Sequence, residues 1–219
     1  MTASAASPFA VHLDHFRLLD AGRDTTNAAS SSAPLTAPLF FSLTIRFQRS
    51  DESDLAPLIT ALGVSVDFVA DVASAKQTLT LLPPTPVSGP RSRLNSTTPN
   101  GAFLTAASAS DSSASPFNFL ADAPLNSADD AAPGAVYQLI VYLRDFHALG
   151  EVQLKHLLQV SMMRVRLTHL GPGKSIAESD SSDSRTEECL VAAWNVIWRV
   201  RCNPQNEKEL IRTVLDPLA

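Results

Sequence analysis

The sequence predicts an all-β chain folded as one two-sheet sandwich, and three observations lead there. Short apolar segments recur with period-two alternation, most clearly where Phe41, Leu43, Ile45 and Phe47 interleave with Ser42, Thr44 and Arg46. That is the pattern of a half-buried strand. Polar stretches and proline-rich corners separate such segments, and many short strands punctuated in this way pack as two layers. The 219 residues, 45% apolar and only 6% aromatic, fill one core but hardly two once the Ser, Ala and Pro-rich stretches are set aside. The expected organisation is a single domain over 1–219 with low-complexity polar loop insertions at 88–115 and 171–188 and one or two short helices.

Taken in order, Val11, Leu13, Phe16 and Leu18 form a first apolar stripe whose phase slips between Leu13 and Phe16, as a β-bulge makes it do. A Ser, Thr, Ala and Pro loop over 21–38 leads to the strand through Phe41–Phe47. Residues 54–62 form one or two helical turns before Gly63, and Val64, Val66 and Phe68 resume a strand. Thr78–Leu82 is a short strand ended by Pro83, Pro84 and Pro86, which cannot donate to a central ladder. Residues 87–115 offer little to bury and read as a loosely packed insertion, after which Phe117 and Phe119 re-enter the core. Val136–Leu143 is almost continuously apolar, which suits a central strand covered on both faces. Residues 151–170 fit either a helix face or a strand, and the reading favours a helix or turn first and a strand at the end. Leu190–Cys202 reads as a strand and Glu207–Leu215 as a short terminal helix.

Charge and motifs narrow the function. A net charge of −5 and a pI near 5.5 give no uniform cationic field for nucleic acid, although a local basic stripe remains compatible with them. The first residues lack a basic region followed by an apolar run, so they do not read as a secretory signal, and no apolar run is long enough to span a membrane. Cys189 and Cys202 are too few for a disulfide framework or a structural zinc site and are expected to be reduced, buried thiols. Gly171-Pro172-Gly173-Lys174-Ser175 has Thr168 where a phosphate loop needs glycine, so it is read as a plain turn. The five histidines are scattered singly with no neighbouring nucleophile or carboxylate cluster. His12 and Asp14 read as an exposed strand edge, and no enzyme, metal or cofactor is expected.

Phe117-Asn-Phe119-Leu-Ala121-Asp122-Ala-Pro124, followed by the apolar strand Val136–Leu143, resembles a stretch of the anti-silencing function family of histone chaperones. Blocks on either side resemble the family in the same order: Val11–Leu19, Leu43–Phe47, Asp54-Leu55, Val64–Ser74, the corner Leu81–Val87, Asn203-Pro204 and Leu210–Leu215. Residues 148–188 have no counterpart. The resemblance implies an immunoglobulin-like sandwich that binds the dimer of histones three and four for nucleosome assembly and disassembly. It also implies action in nucleus and cytoplasm without direct contact to nucleic acid or membrane. The histone-binding positions it implies are Ile140 as the apolar centre with Leu139 and Tyr142, then Asp71, Asn195 and Arg199. Family arginine and tyrosine positions fall on Asn195 and Arg199, and family acidic positions fall on Ser74 and Thr78, which leaves Asp71 as the nearest carboxylate. A second surface, for basic peptides of downstream chaperones, would use Glu52 and Asp54 with Leu82 and Pro84 as the apolar floor. Two other readings stand beside this one. A carrier of lipidated proteins would line a pocket with Leu13, Phe47, Phe68 and Trp198, and a structural subunit of a larger complex would use Trp194 and Trp198 as anchors.

Overall fold

The computed structural model describes residues 9–19, 31–49, 56–71, 77–87, 100–106, 136–170 and 190–218. Their strands are β1 (Phe9–Leu19), β2 (Ser32–Pro34), β3 (Leu39–Arg49), β4 (Leu62–Ala70), β5 (Gln77–Pro86), β6 (Asn100–Ala106), β7 (Val136–Leu143), β8 (Val160–His169), β9 (Leu190–Asn203) and β10 (Asn206–Val214). The helices are short: α1 (Ala56–Thr60), a 3-10 turn at His147–Glu151 and α2 (Leu154–Leu157). One sheet has four strands in the order β1-β3-β7-β6, the other six in the order β2-β10-β9-β8-β4-β5, and every pairing between neighbours is antiparallel. The protein is an all-β two-sheet sandwich.

Alternation places the core between the sheets. Phe41, Leu43, Ile45 and Phe47 of β3 and Tyr137, Leu139, Val141 and Leu143 of β7 turn inward against Leu62, Val64, Val66 and Phe68 of β4 and Met163, Val165 and Leu167 of β8. The phase slip in β1 is a register shift between Leu13 and His15. It adds Asp14 on the open side, where its carboxylate accepts from Arg46 at 2.7 Å, while His12 Nε2 meets Gln48 Oε1 at 2.8 Å. The rings expected to line a carrier pocket instead fill the interior. Phe47 stands edge-on to Tyr137 with centroids 5.5 Å apart, and Phe68 stands edge-on to Trp198 at 5.3 Å. With Trp198 fully buried and Trp194 packed against the core from a half-buried position, neither is a ready interface anchor.

Several expectations are corrected. Residues 100–106, placed within the 88–115 insertion, form edge strand β6. There Ala102 and Leu104 join the core, and Asn100 is pinned by its side chain: Nδ2 donates to Leu81 O at 2.6 Å and Oδ1 accepts from the Arg144 and Asp145 amides. The segment expected as a terminal helix is β10. Leu210, Arg212 and Val214 lie opposite Cys202, Val200 and Trp198 of β9, an inward phase that the arginine disguises. Strand β5 runs through its prolines to Pro86, which pairs with Gly63 after register shifts. An edge strand tolerates prolines because the outer side needs no donors. Cys202 is exposed rather than buried, and Cys189, Phe117 and Phe119 lie outside the described residues.

Arg212 is the unusual member of this interior. Only 2% exposed, its guanidinium donates to the carbonyls of Pro34, Leu35, Ala37 and Pro38 at 3.0, 2.7, 2.6 and 2.9 Å. It lies over the rings of Phe146 and Trp198 at 5.3 and 5.4 Å. Burial lowers its pKa to about 10, so it remains charged at neutral pH. The turn it grips carries the chain from β2 in one sheet to β3 in the other.

Candidate interaction surface

Of the ten positions implied by resemblance, the eight that are described do not share one surface. Ile140 and Tyr142 point to the outer face of the four-stranded sheet, where they cluster with Leu19, Phe40 and Phe103 and are only 1% and 5% exposed. Arg144 lies over the Phe40 and Tyr142 rings at 5.7 and 5.9 Å. Leu139 alternates to the other side of β7 and is wholly in the inter-sheet core, which removes it from any surface. Asp71 follows β4 in a left-handed conformation, φ 51°, and its carboxylate meets His156 Nδ1 at 3.2 Å. This contact ties α2 to the end of the strand.

The positions implied for basic peptides divide in the same way. Leu82 is buried in the core, 2% exposed, so it is no floor for a ligand, whereas Pro84 is exposed on edge strand β5. Glu52 and Asp54 lie outside the described residues. The β5 edge is a poor template for an added strand, because Pro83, Pro84 and Pro86 have no N–H and Leu81 O is already taken by Asn100. Such features blunt edge pairing.

Asn195 and Arg199 are different: both are exposed on β9 in the six-stranded sheet. In this strand Trp194, Val196, Trp198 and Val200 belong to the inward phase. Asn195, Ile197, Arg199 and Arg201 take the outward one, and all four are exposed. Neighbouring strands extend the surface. Met162 lies opposite Ile197, Arg164 opposite Asn195, and Val160 opposite Arg199, while Thr213 and Ile211 of β10 lie opposite Arg199 and Arg201. Leu215 N donates to Ile197 O at 2.9 Å, bringing the end of β10 alongside. Ile197, Val160 and Leu215 are 42%, 57% and 45% exposed, a group of aliphatic side chains that the core does not use.

Charge on this face is positive. Arg166 pairs with Asp67 at 3.2 Å, and Asp67 also accepts from Thr80 Oγ1 at 3.1 Å. Arg164 Nε donates only weakly to Asn195 Oδ1, at 3.4 Å. Among the described residues no carboxylate pairs with Arg164, Arg199 or Arg201. Sequence reasoning missed Ile197, although the signal is present: it is the one large apolar side chain in a phase otherwise occupied by Asn195, Arg199 and Arg201.

The fold and this surface define an all-β two-sheet sandwich with an open, mixed apolar and basic sheet face. No protein-family model matches the chain, and no curated protein matches its sequence.

Proposed function

We propose that the chain is a non-enzymatic histone chaperone of immunoglobulin-like fold that holds the dimer of histones three and four during nucleosome assembly and disassembly. Its place of action would be nucleus and cytoplasm. Basic peptides of downstream chaperones would dock near Pro84, with Glu52 and Asp54 as their carboxylate partners. The ordered resemblance along the sequence supports this reading, and a two-sheet sandwich agrees with the architecture it implies. One observation carries it furthest: Asn195 and Arg199, two of the implied contact positions, flank the exposed Ile197 on one outward phase of β9. An exposed apolar centre with polar and charged side chains around it is the arrangement of a protein-binding patch. The apolar centre therefore moves from Ile140, which is 1% exposed, to Ile197, which is 42% exposed.

The test is retention of purified core histones by the immobilised full chain at low and moderate salt, repeated with Ile197→Arg. Retention of histones three and four at moderate salt, lost in an Ile197→Arg variant whose thermal melt is unchanged, is the expected result. Failure of the unmodified chain to retain them at moderate salt overturns the proposal. Retention unaffected by Ile197→Arg overturns its placement on β9.

A further inference from the structure

We infer that the outer face of β8 and β9 receives an acidic segment of a partner protein, one whose carboxylates flank an apolar centre. This goes beyond the histone reading, since it concerns what any partner must present to this face. The order of side chains decides it. Reading along the paired strands, Arg166 lies opposite Ala193, then Arg164 opposite Asn195, Met162 opposite Ile197 and Val160 opposite Arg199, with Arg201 beyond. The face is thus basic at both ends and aliphatic in the middle.

Strand geometry sets the length. From Ala193 to Arg201 the rise is ~27 Å at ~3.4 Å per residue, which a helix of about 18 residues spans at ~1.5 Å each. Charge supplies the sign. The one acid on the strip among the described residues, Asp67, is already held by Arg166 and Thr80, leaving Arg164, Arg199 and Arg201 with no described carboxylate partner. Guanidinium groups pair with carboxylates through two parallel hydrogen bonds, so arginine suits this ligand better than a generic cation would.

Two other anionic partners fit less well. A nucleic acid strand presents a dense row of phosphates to a protein whose net charge is −5, and gains from aromatic platforms on which bases stack. The exposed large apolar residues among those described are all aliphatic: Leu154, Leu158, Val160, Leu190, Ile197, Leu215 and Leu218. A membrane surface gains from a protruding amphipathic helix or lipid anchor, whereas the strip is a sheet face.

The experiment is a fluorescence-anisotropy titration of the full chain with a labelled helical peptide of about 18 residues carrying glutamates on both sides of a Leu-Ile centre on one face. The same peptide with lysines replacing the glutamates is the control. The glutamate peptide should bind about tenfold tighter or more than the lysine peptide. The double reversal Arg199→Glu with Arg201→Glu should reverse that preference, and Ile197→Ser should weaken binding of the glutamate peptide to the unreversed chain. Both arginines are exposed, and Arg199→Gln with Arg201→Gln serves in their place should the reversed chain melt early. Equal binding of the two peptides, or a preference that survives neutralisation of both arginines, overturns the inference. Tighter binding of a single-stranded oligonucleotide or of phosphatidylserine vesicles than of the glutamate peptide overturns it in favour of those partners. A chain that binds the glutamate peptide but retains no histones upholds this inference and overturns the histone proposal, and the opposite result separates them equally well.

Discussion

Replacing Arg212 with methionine removes a guanidinium that donates to four carbonyls of the 34–38 turn and lies over two aromatic rings. The change also removes a charge that burial penalises, so the full strength of four charge-assisted hydrogen bonds is not lost. What remains is the penalty of carbonyls without donors. The Leu35 carbonyl is reached by a fully buried bond, and a buried acceptor left unmade costs about 1–3 kcal/mol. The other three contacts are partly buried, and their oxygens gain access to water. Loss of the two ring contacts adds about 0.5–2 kcal/mol. The expected destabilisation is about 3 kcal/mol, read by urea denaturation at constant m, with Tm lower by about 6–12 °C. Arg212→Lys keeps the charge but not the planar fork that spans the turn, so it should recover about half. The stability difference between the parent chain and the Arg212→Met variant should be flat between pH 6 and 8. With the folded pKa lowered by burial to about 10 and the unfolded value higher still, the group is protonated in both states there and unfolding exchanges no proton. Only as pH rises through the folded value does the unfolded state hold more protons, and stability then rises with pH. A methionine variant within about 0.5 kcal/mol of the parent, or a lysine variant as stable as the parent, refutes the reasoning.

Three further outcomes follow from other parts of the fold. Ser161 Oγ and Trp198 Nε1 are buried without hydrogen-bond partners at directly paired positions of β8 and β9. Ser161→Ala should therefore leave stability within about 0.5 kcal/mol or raise it, and a clear loss in a denaturant melt would mean that the hydroxyl is satisfied. A Cβ at Gly101 would run into the Tyr142 hydroxyl, so Gly101→Ala should cost about 1–3 kcal/mol although alanine is otherwise favoured over glycine within a strand by about 0.5–1 kcal/mol. In a Tyr142→Ala background that penalty should vanish, and an equal penalty in both backgrounds of a double-mutant cycle would rule out the clash. Neighbours on β9 should behave oppositely. Trp198→Ala, at 0% exposure, should cost about 3–5 kcal/mol, and Ile197→Ser, at 42%, about 0.5 kcal/mol or less. Comparable losses at both would contradict the inward and outward assignment.

Period-two alternation in β3 and β9, the continuous apolar run of β7 and the slip in β1 are properties of neighbouring residues. They are legible in the sequence because a strand presents successive side chains to opposite faces. That reading reached the all-β sandwich, the early turn before β8 and the bulge at Asp14. It failed where long-range packing overrides a local pattern. Leu210, Arg212 and Val214 read as part of a helix because the inward charge at Arg212 breaks the apolar stripe, and only the distant turn at 34–38 supplies carbonyls that make such a charge stable inside. Residues 100–106 look too polar to pack, yet the Asn100 side chain finds Leu81, Arg144 and Asp145 across the fold. The candidate surface depended on the same distinction. Sequence alone put Asn195 and Arg199 on a strand and read β7 as covered on both faces, but it could not tell which side of β7 faces the other sheet. Ile140 and Ile197 are alike as residues. Their different exposure is decided by what packs over each sheet: Ile140 lies on a strand apolar on both sides, whereas Ile197 stands among Asn195, Arg199 and Arg201 on the outward phase of β9.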